Sequence, residues 1–172
     1  MNKSEVIWPD YYHPKHARIH VRSQIEIPEP PEVVWQHLVR APEWPAWRRA
    51  KTMVQILNGD NTLCKNTMFR WKASGFEVKC TVVEYLQNQR LAWKGKKGSI
   101  DIYHAWVLEP TKHGCCIITE STQRGGITWL TKYFAPRRLR NYHLRWLEEL
   151  CRQSHGHCEK SVSYTHLRAH ET

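Results

Sequence analysis

The chain has 172 residues, enough for one domain with a sizeable core, and 41% of them are hydrophobic. No apolar run approaches the roughly 18 residues of a membrane-spanning helix, so such a helix is not expected. The formal net charge of +10 leaves an anionic partner open, and the first ten residues, MNKSEVIWPD, lack the apolar segment of a signal peptide, which predicts a cytoplasmic location.

The first secondary-structure elements follow an amino-terminal arm, residues 1–16. Residues 17–27, ARIHVRSQIEI, alternate apolar and polar side chains, which predicts a half-buried strand. The segment PEPPEVVWQHL follows, with prolines suited to a helix start and apolar residues at helical spacing. A second start at Pro42, in APEWPAW, allows only one or two further turns. Two short helices are therefore expected after the first strand.

Six further strands are predicted between these helices and the end of the domain. TMVQIL ends at an Asn-Gly-Asp turn, TMFRWK and FEVKCTVVEY flank Ser74-Gly75, and RLAWKG and SIDIYHAWVLEP flank a Lys-Lys-Gly turn. CCIITEST follows His113-Gly114. With the strand before the helices, the count is seven.

A long helix closes the domain, because its apolar positions recur at helical spacing; they are Leu139, Tyr142, His143, Trp146, Leu147 and Leu150. We expect it to begin at Pro136 or to be kinked there. Residues 153–172 are predicted to be a disordered tail. Within it, Ser161–Thr172 resembles a segment that recurs at the ends of unrelated translated sequences, so we interpret it as non-native.

This order predicts an α+β fold with one antiparallel sheet. The segments IEIPEPPEVVWQHLVRAPEWPAW, RLAWKG, YHAWVLEP and ITESTQRGG resemble the START-like (SRPBCC) superfamily, nearest to its polyketide cyclase/dehydrase-like group. The resemblance covers residues 17–152. It implies a helix-grip fold, in which a curved seven-stranded sheet wraps around the carboxy-terminal helix and leaves an apolar cavity between them.

The leading functional hypothesis is a binding protein for a small apolar or aromatic molecule, such as a lipid or a polyketide-like compound, with no cofactor. Nine tryptophans and seven tyrosines in so short a chain are typical of a thick core or of an apolar cavity. The predicted ligand-binding residues are aromatic; they are Trp44, Trp47, Trp71, Phe76, Trp93, Trp106, Tyr142 and Trp146. Each of them can equally be a core residue.

An enzyme is the alternative hypothesis. Period-two alternation puts His104 on one face of its strand, and Glu120 alternates likewise on the next strand. If both sets face the cavity, the histidine and the carboxylate form an acid/base pair for a cyclase- or dehydratase-like reaction. A hydrogen-bonded structural pair is the other interpretation.

A third hypothesis is nucleic-acid or anionic-surface binding by Arg138, Arg145 and Arg152, which recur every seven residues along the last helix. Because Glu148 and Glu149 interrupt the surrounding surface, we favour a solvated helix face and expect no nucleic-acid partner.

The six cysteines show no CxxC pair or framework spacing, so reduced thiols are predicted. The stretch CRQSHGHC, residues 151–158, carries possible metal ligands, but its spacing fits no standard zinc pattern. We predict no metal site.

Overall fold

The fold is built on one antiparallel sheet. The computed structural model describes residues 5–49, 52–73, 76–125, 136–157 and 162–169. The strands are β1 (Ile19–Ile27), β2 (Thr52–Ile56), β3 (Met68–Ala73), β4 (Phe76–Leu86), β5 (Arg90–Lys97), β6 (Ile100–Thr111), β7 (Gly114–Arg124) and β8 (Val162–Ala169). They lie in the order β2-β3-β4-β5-β6-β7-β1-β8. The seven predicted strands are therefore confirmed, and an eighth pairs with β1. The Ser74-Gly75 turn lies outside the described residues.

Three α-helices are described: α1 (Pro31–Val39), α2 (Trp44–Trp47) and α3 (Pro136–His155). The predicted apolar stripe of α1 is buried, and α2 is a single turn that begins after a short 3₁₀ helix at Ala41–Glu43. The indole Nε1 of Trp44 donates a hydrogen bond to the Leu38 carbonyl oxygen at 3.2 Å, which ties α2 to α1. Pro136 is the first residue of α3, as predicted.

The sheet has two differently covered faces, because successive side chains of a strand point to opposite sides. The inner face packs against α3 and α1 and carries Trp93, His104 and Trp106. The outer face carries Tyr103, Ala105 and Val107, which form a second apolar cluster. The inner face and α3 enclose the main core.

The amino-terminal arm covers part of the outer face. Val6 is buried in the outer cluster, and the Trp8 ring lies 5.5 Å from that of Tyr103. The Tyr11 hydroxyl donates to Asp101 Oδ2 at 2.9 Å, and the Thr122 hydroxyl donates to the Tyr12 carbonyl oxygen at 2.9 Å. The arm thus supplies apolar cover and hydrogen bonds.

The prediction of a disordered tail is wrong for residues 162–169, which form β8. This strand pairs antiparallel with β1, with Ile19 opposite Ala169 and Ile25 opposite Val162. The prediction considered only apolar periodicity. However, an edge strand offers unpaired backbone N–H and C=O groups that any extended segment can join. Whether Ser161–Thr172 is non-native stays a prediction.

Ending the chain at Lys160 should leave the seven-stranded fold intact. Strand β1 keeps nine residue pairs with β7. We therefore expect a loss below about 1 kcal/mol, or a melting temperature lowered by less than about 4 °C. Hydrogen exchange should show faster exchange only for the β1 amides that face β8. A loss of the cooperative unfolding transition would contradict this expectation.

Trp8→Ala tests whether the arm contributes to stability. Trp8 is only half-buried, so we expect a loss of about 2 kcal/mol, below the range for a fully buried tryptophan. The matched control is Ile7→Ala, because Ile7 is 57% exposed and should change stability by less than about 0.5 kcal/mol. Equal effects in urea unfolding would show that the arm contacts contribute nothing.

Candidate functional site

The space between the inner face and α3 is filled with aromatic rings centred on Trp146. The Trp146 ring lies 5.0 Å from that of Trp44, 4.9 Å from Trp106 and 6.2 Å from Trp93. All four side chains are almost fully buried. Trp44 of α2 therefore contacts α3 directly. We call these four rings the aromatic interior.

The other four predicted ligand residues are half-buried and pack against this interior; they are Trp47, Trp71, Phe76 and Tyr142. The Trp71 ring lies 5.7 Å from Tyr142 and 5.9 Å from Trp146. We call Trp71 and Tyr142 the margin pair. It is the place where the aromatic interior becomes partly exposed.

Two buried histidines lie beside the rings. His104 stacks flat on Trp93 at 4.8 Å, and its Nε2 is 3.0 Å from the Thr119 hydroxyl oxygen. His143 Nε2 is 3.1 Å from the Ser121 hydroxyl oxygen, and the two imidazole rings are 5.0 Å apart. Burial lowers the pKa of His143 to about 3 and lowers that of His104 well below its ordinary value, with the neighbouring charges adding to both effects. Both rings are therefore neutral at pH 7.

The predicted acid/base pair of His104 and Glu120 is wrong, because the two side chains lie on opposite faces of the sheet. Across β6 and β7, His104 is opposite Ser121, whereas Glu120 is opposite Ala105 on the outer face. Glu120 accepts hydrogen bonds from Arg22 Nη1 at 2.5 Å and from His20 Nε2 at 2.8 Å. These contacts give Glu120 a structural role.

Sequence reasoning missed Arg48, the residue that follows α2. Its side chain is fully buried, with Nε 3.4 Å from Glu149 Oε2 and Nη1 2.7 Å from the Tyr142 hydroxyl oxygen. Its guanidinium carbon lies 4.2 Å from the Trp146 ring centre and 4.8 Å from that of Tyr142. Two consecutive arginines after a short helix are typical of a solvated loop. The only signal for burial was the adjacent tryptophan-rich turn.

The arginines of α3 and the possible metal ligands of residues 151–158 lie at the carboxy-terminal end of the domain. Arg138, Arg145 and Arg152 are exposed on α3, as a solvated face requires. In the stretch CRQSHGHC, Cys151 is buried, whereas His155 Nδ1 lies 2.7 Å from Glu29 Oε1. Cys158 lies outside the described residues.

A curved antiparallel sheet that packs around a long carboxy-terminal helix, with short helices after the first strand, defines the helix-grip class. The chain belongs to the family described as polyketide cyclase / dehydrase and lipid transport, whose model matches residues 18–155. No curated protein sequence matches it significantly. No helix among the described residues is long and apolar enough to cross a membrane.

The fold of this chain is similar to that of several solved structures. The hypothetical protein jhp0584 from Helicobacter pylori is 26% identical, with a TM-score of 0.78 over 88% of this chain and 96% of its own. The protein TTHA0849 from Thermus thermophilus is 18% identical, with a TM-score of 0.62 over 78% and 96%. DynU16, a putative protein in the dynemicin biosynthetic locus, is 15% identical, with a TM-score of 0.60 over 77% and 46%. The last two show the fold alone.

The buried histidines predict a pH-dependent stability. Because the folded pKa of His143 is lowered, the unfolded chain binds the extra proton between about pH 6.5 and the folded value. The contribution of neutral His143 to the free energy of unfolding is therefore fully present above about pH 6.5 and is lost as the pH falls toward 3. His143→Gln should reduce the slope of unfolding free energy against pH by up to about 1.4 kcal/mol per unit. The exposed turn residue His113 provides the control variant, His113→Gln, whose slope should match the wild type. If the slope for His143→Gln also matches that of the wild type, the lowered pKa is wrongly assigned to His143.

Proposed function

We propose that the protein binds a small hydrophobic or aromatic molecule at the margin pair, with the aromatic interior as the floor of the site. The observation that carries the proposal is the partial exposure of Trp71 and Tyr142, in direct ring contact with the buried Trp146. Flat rings expose a large apolar area, and ligand sites are lined mainly by apolar and aromatic side chains with a few polar groups.

Two further observations support the proposal, the first for the position of the site and the second for the kind of ligand. Phe76 lies on the same face of β4 as Val78, which is opposite Trp71 on β3, so it extends the apolar margin along the sheet. Lipid transport is part of the family's description, and binding of an apolar molecule is the step that transport requires. A catalytic role through Glu120 is not part of the proposal, since that side chain lies on the outer face.

Trp71→Ala tests the proposed site. Thermal shift and tryptophan fluorescence against sterols, fatty acids, flavonoids and aromatic polyketides should identify a ligand that stabilises the wild type. Removal of the Trp71 ring should then weaken binding by about tenfold or more, because burial of a large side chain contributes roughly 1.5–3 kcal/mol.

The control for this experiment is Met53→Ala on the neighbouring strand. Met53 is 67% exposed, so its substitution should leave the dissociation constant unchanged. Equal affinity of the Trp71→Ala and Met53→Ala variants would place the ligand elsewhere. Failure of every class of compound to shift the melting temperature would count against binding itself.

A further inference from the structure

Arg48 holds a buried positive charge that its protein partners satisfy only in part. Glu149 Oε2 accepts from Nε at 3.4 Å, a long contact, and Oε1 of the same carboxylate already accepts from the Arg49 backbone N–H at 3.1 Å. Nη1 donates to Tyr142. Nη2 is buried and has no hydrogen-bond partner among the residues that the structure describes. An arginine carries five N–H donors, so capacity for an acceptor remains.

The aromatic rings hold this guanidinium group at the margin pair. It lies against Trp146 and Tyr142, an arrangement in which cation–π attraction fixes the plane of the group. The two terminal nitrogens then lie at the same end of the guanidinium, and one of them already contacts the Tyr142 hydroxyl group. The remaining donor therefore lies next to the proposed apolar site.

Two indole groups of the proposed site are also donors that lack an acceptor within the described part of the chain. The indole Nε1 atoms of Trp71 and Trp146 are buried without a hydrogen-bond partner within the described part of the chain. Burial raises the pKa of Tyr142 to about 12 although Arg48 acts in the opposite direction, so its hydroxyl keeps its proton at pH 7. A cluster of donors without acceptors is satisfied by a ligand that brings acceptor oxygens.

We propose that the molecule bound at the margin pair is an anion: an apolar or aromatic compound whose ionised oxygen, a carboxylate or an ionised enol, accepts hydrogen bonds from Arg48. This inference rests on the proposed function and specifies its ligand class. The apolar part of the ligand packs on Trp71 and Tyr142, and the charged oxygen compensates the guanidinium. Charge-assisted hydrogen bonds of this kind are shorter and stronger than neutral ones.

The test compares matched ligands by fluorescence titration at pH 7 and fixed ionic strength. Naphthoic acid supplies a carboxylate, hydroxynaphthoquinone supplies an ionised enol, and methyl naphthoate is the neutral counterpart. The wild type should bind at least one of the two anions about tenfold or more tightly than the ester. The anion that binds more tightly identifies the kind of oxygen recognised.

Arg48→Met should abolish the preference for the anion while it leaves binding of the ester within about twofold, because methionine lacks the charge and the N–H donors but still places an apolar side chain against the Trp146 and Tyr142 rings. Arg49→Met is the matched control, since Arg49 is exposed and contacts Glu149 through its backbone. Arg48→Met leaves the Glu149 carboxylate buried without its cation, which can impair folding. The double variant Arg48→Met/Glu149→Gln removes both charges and should show the same loss of preference.

The outcomes separate the two proposals. If the wild type binds the ester as tightly as both anions, or if the folded Arg48 variants keep the preference, the anionic ligand class is wrong while the apolar site stands. If none of the three compounds binds and the broader panel of apolar compounds also fails, the proposed function itself is wrong.

Discussion

The position of Trp146 is the constraint on which the domain depends. A single ring on α3 contacts Trp44 of α2, Trp71 of β3, Trp93 of β5 and Trp106 of β6. Two of these pairs, those with Trp44 and Trp106, meet edge to face, a geometry that aromatic quadrupoles favour. One side chain therefore connects the helix, the short α2 turn and three strands. Its neighbours can shift little, because close-packed interiors tolerate few changes in volume.

The buried polar groups on the two faces of the sheet have different kinds of hydrogen-bond partner. On the inner face, the histidines are uncharged and their hydrogen-bond partners are the hydroxyl groups of Thr119 and Ser121. On the outer face, the Glu120 carboxylate has Arg22 and His20 as direct partners. Trp8 of the arm packs on His20. The Glu120 carboxylate thus has an ion pair with Arg22 and a hydrogen bond from His20, beside the apolar outer cluster, and these contacts satisfy it without a ligand.

Most of the fold could be predicted from the sequence, because hydrophobic periodicity reports directly on burial. The alternation of β1 and the apolar stripe of α3 both follow this rule. The face of Glu120 could not be predicted in the same way. Ile117 and Ile118 are both apolar and both buried, so β7 has no clear alternation, and only its pairing with β6 fixes which residues face inward. A shift of one residue reverses every side chain.

The candidate site was only partly predictable for a related reason. Aromatic residues indicate an apolar region, and the eight predicted residues do lie in or beside the main core. The sequence pattern cannot tell a ring that fills the interior, such as Trp93, from one at its margin, such as Trp71. Arg48 was missed since its burial depends on Glu149, about a hundred residues away along the chain.

A contribution to stability does not readily explain the buried Arg48–Glu149 pair. The desolvation of two charges is costly, and replacing a buried ion pair by apolar side chains of similar volume often leaves stability unchanged or raises it. Here the pair lies among tryptophans that already fill the interior, and one terminal nitrogen of the guanidinium, Nη2, still lacks a partner in the described part of the chain. A core selected for stability alone has no use for that free donor. A site for an apolar anion does, because this donor then compensates the charge of the proposed ligand.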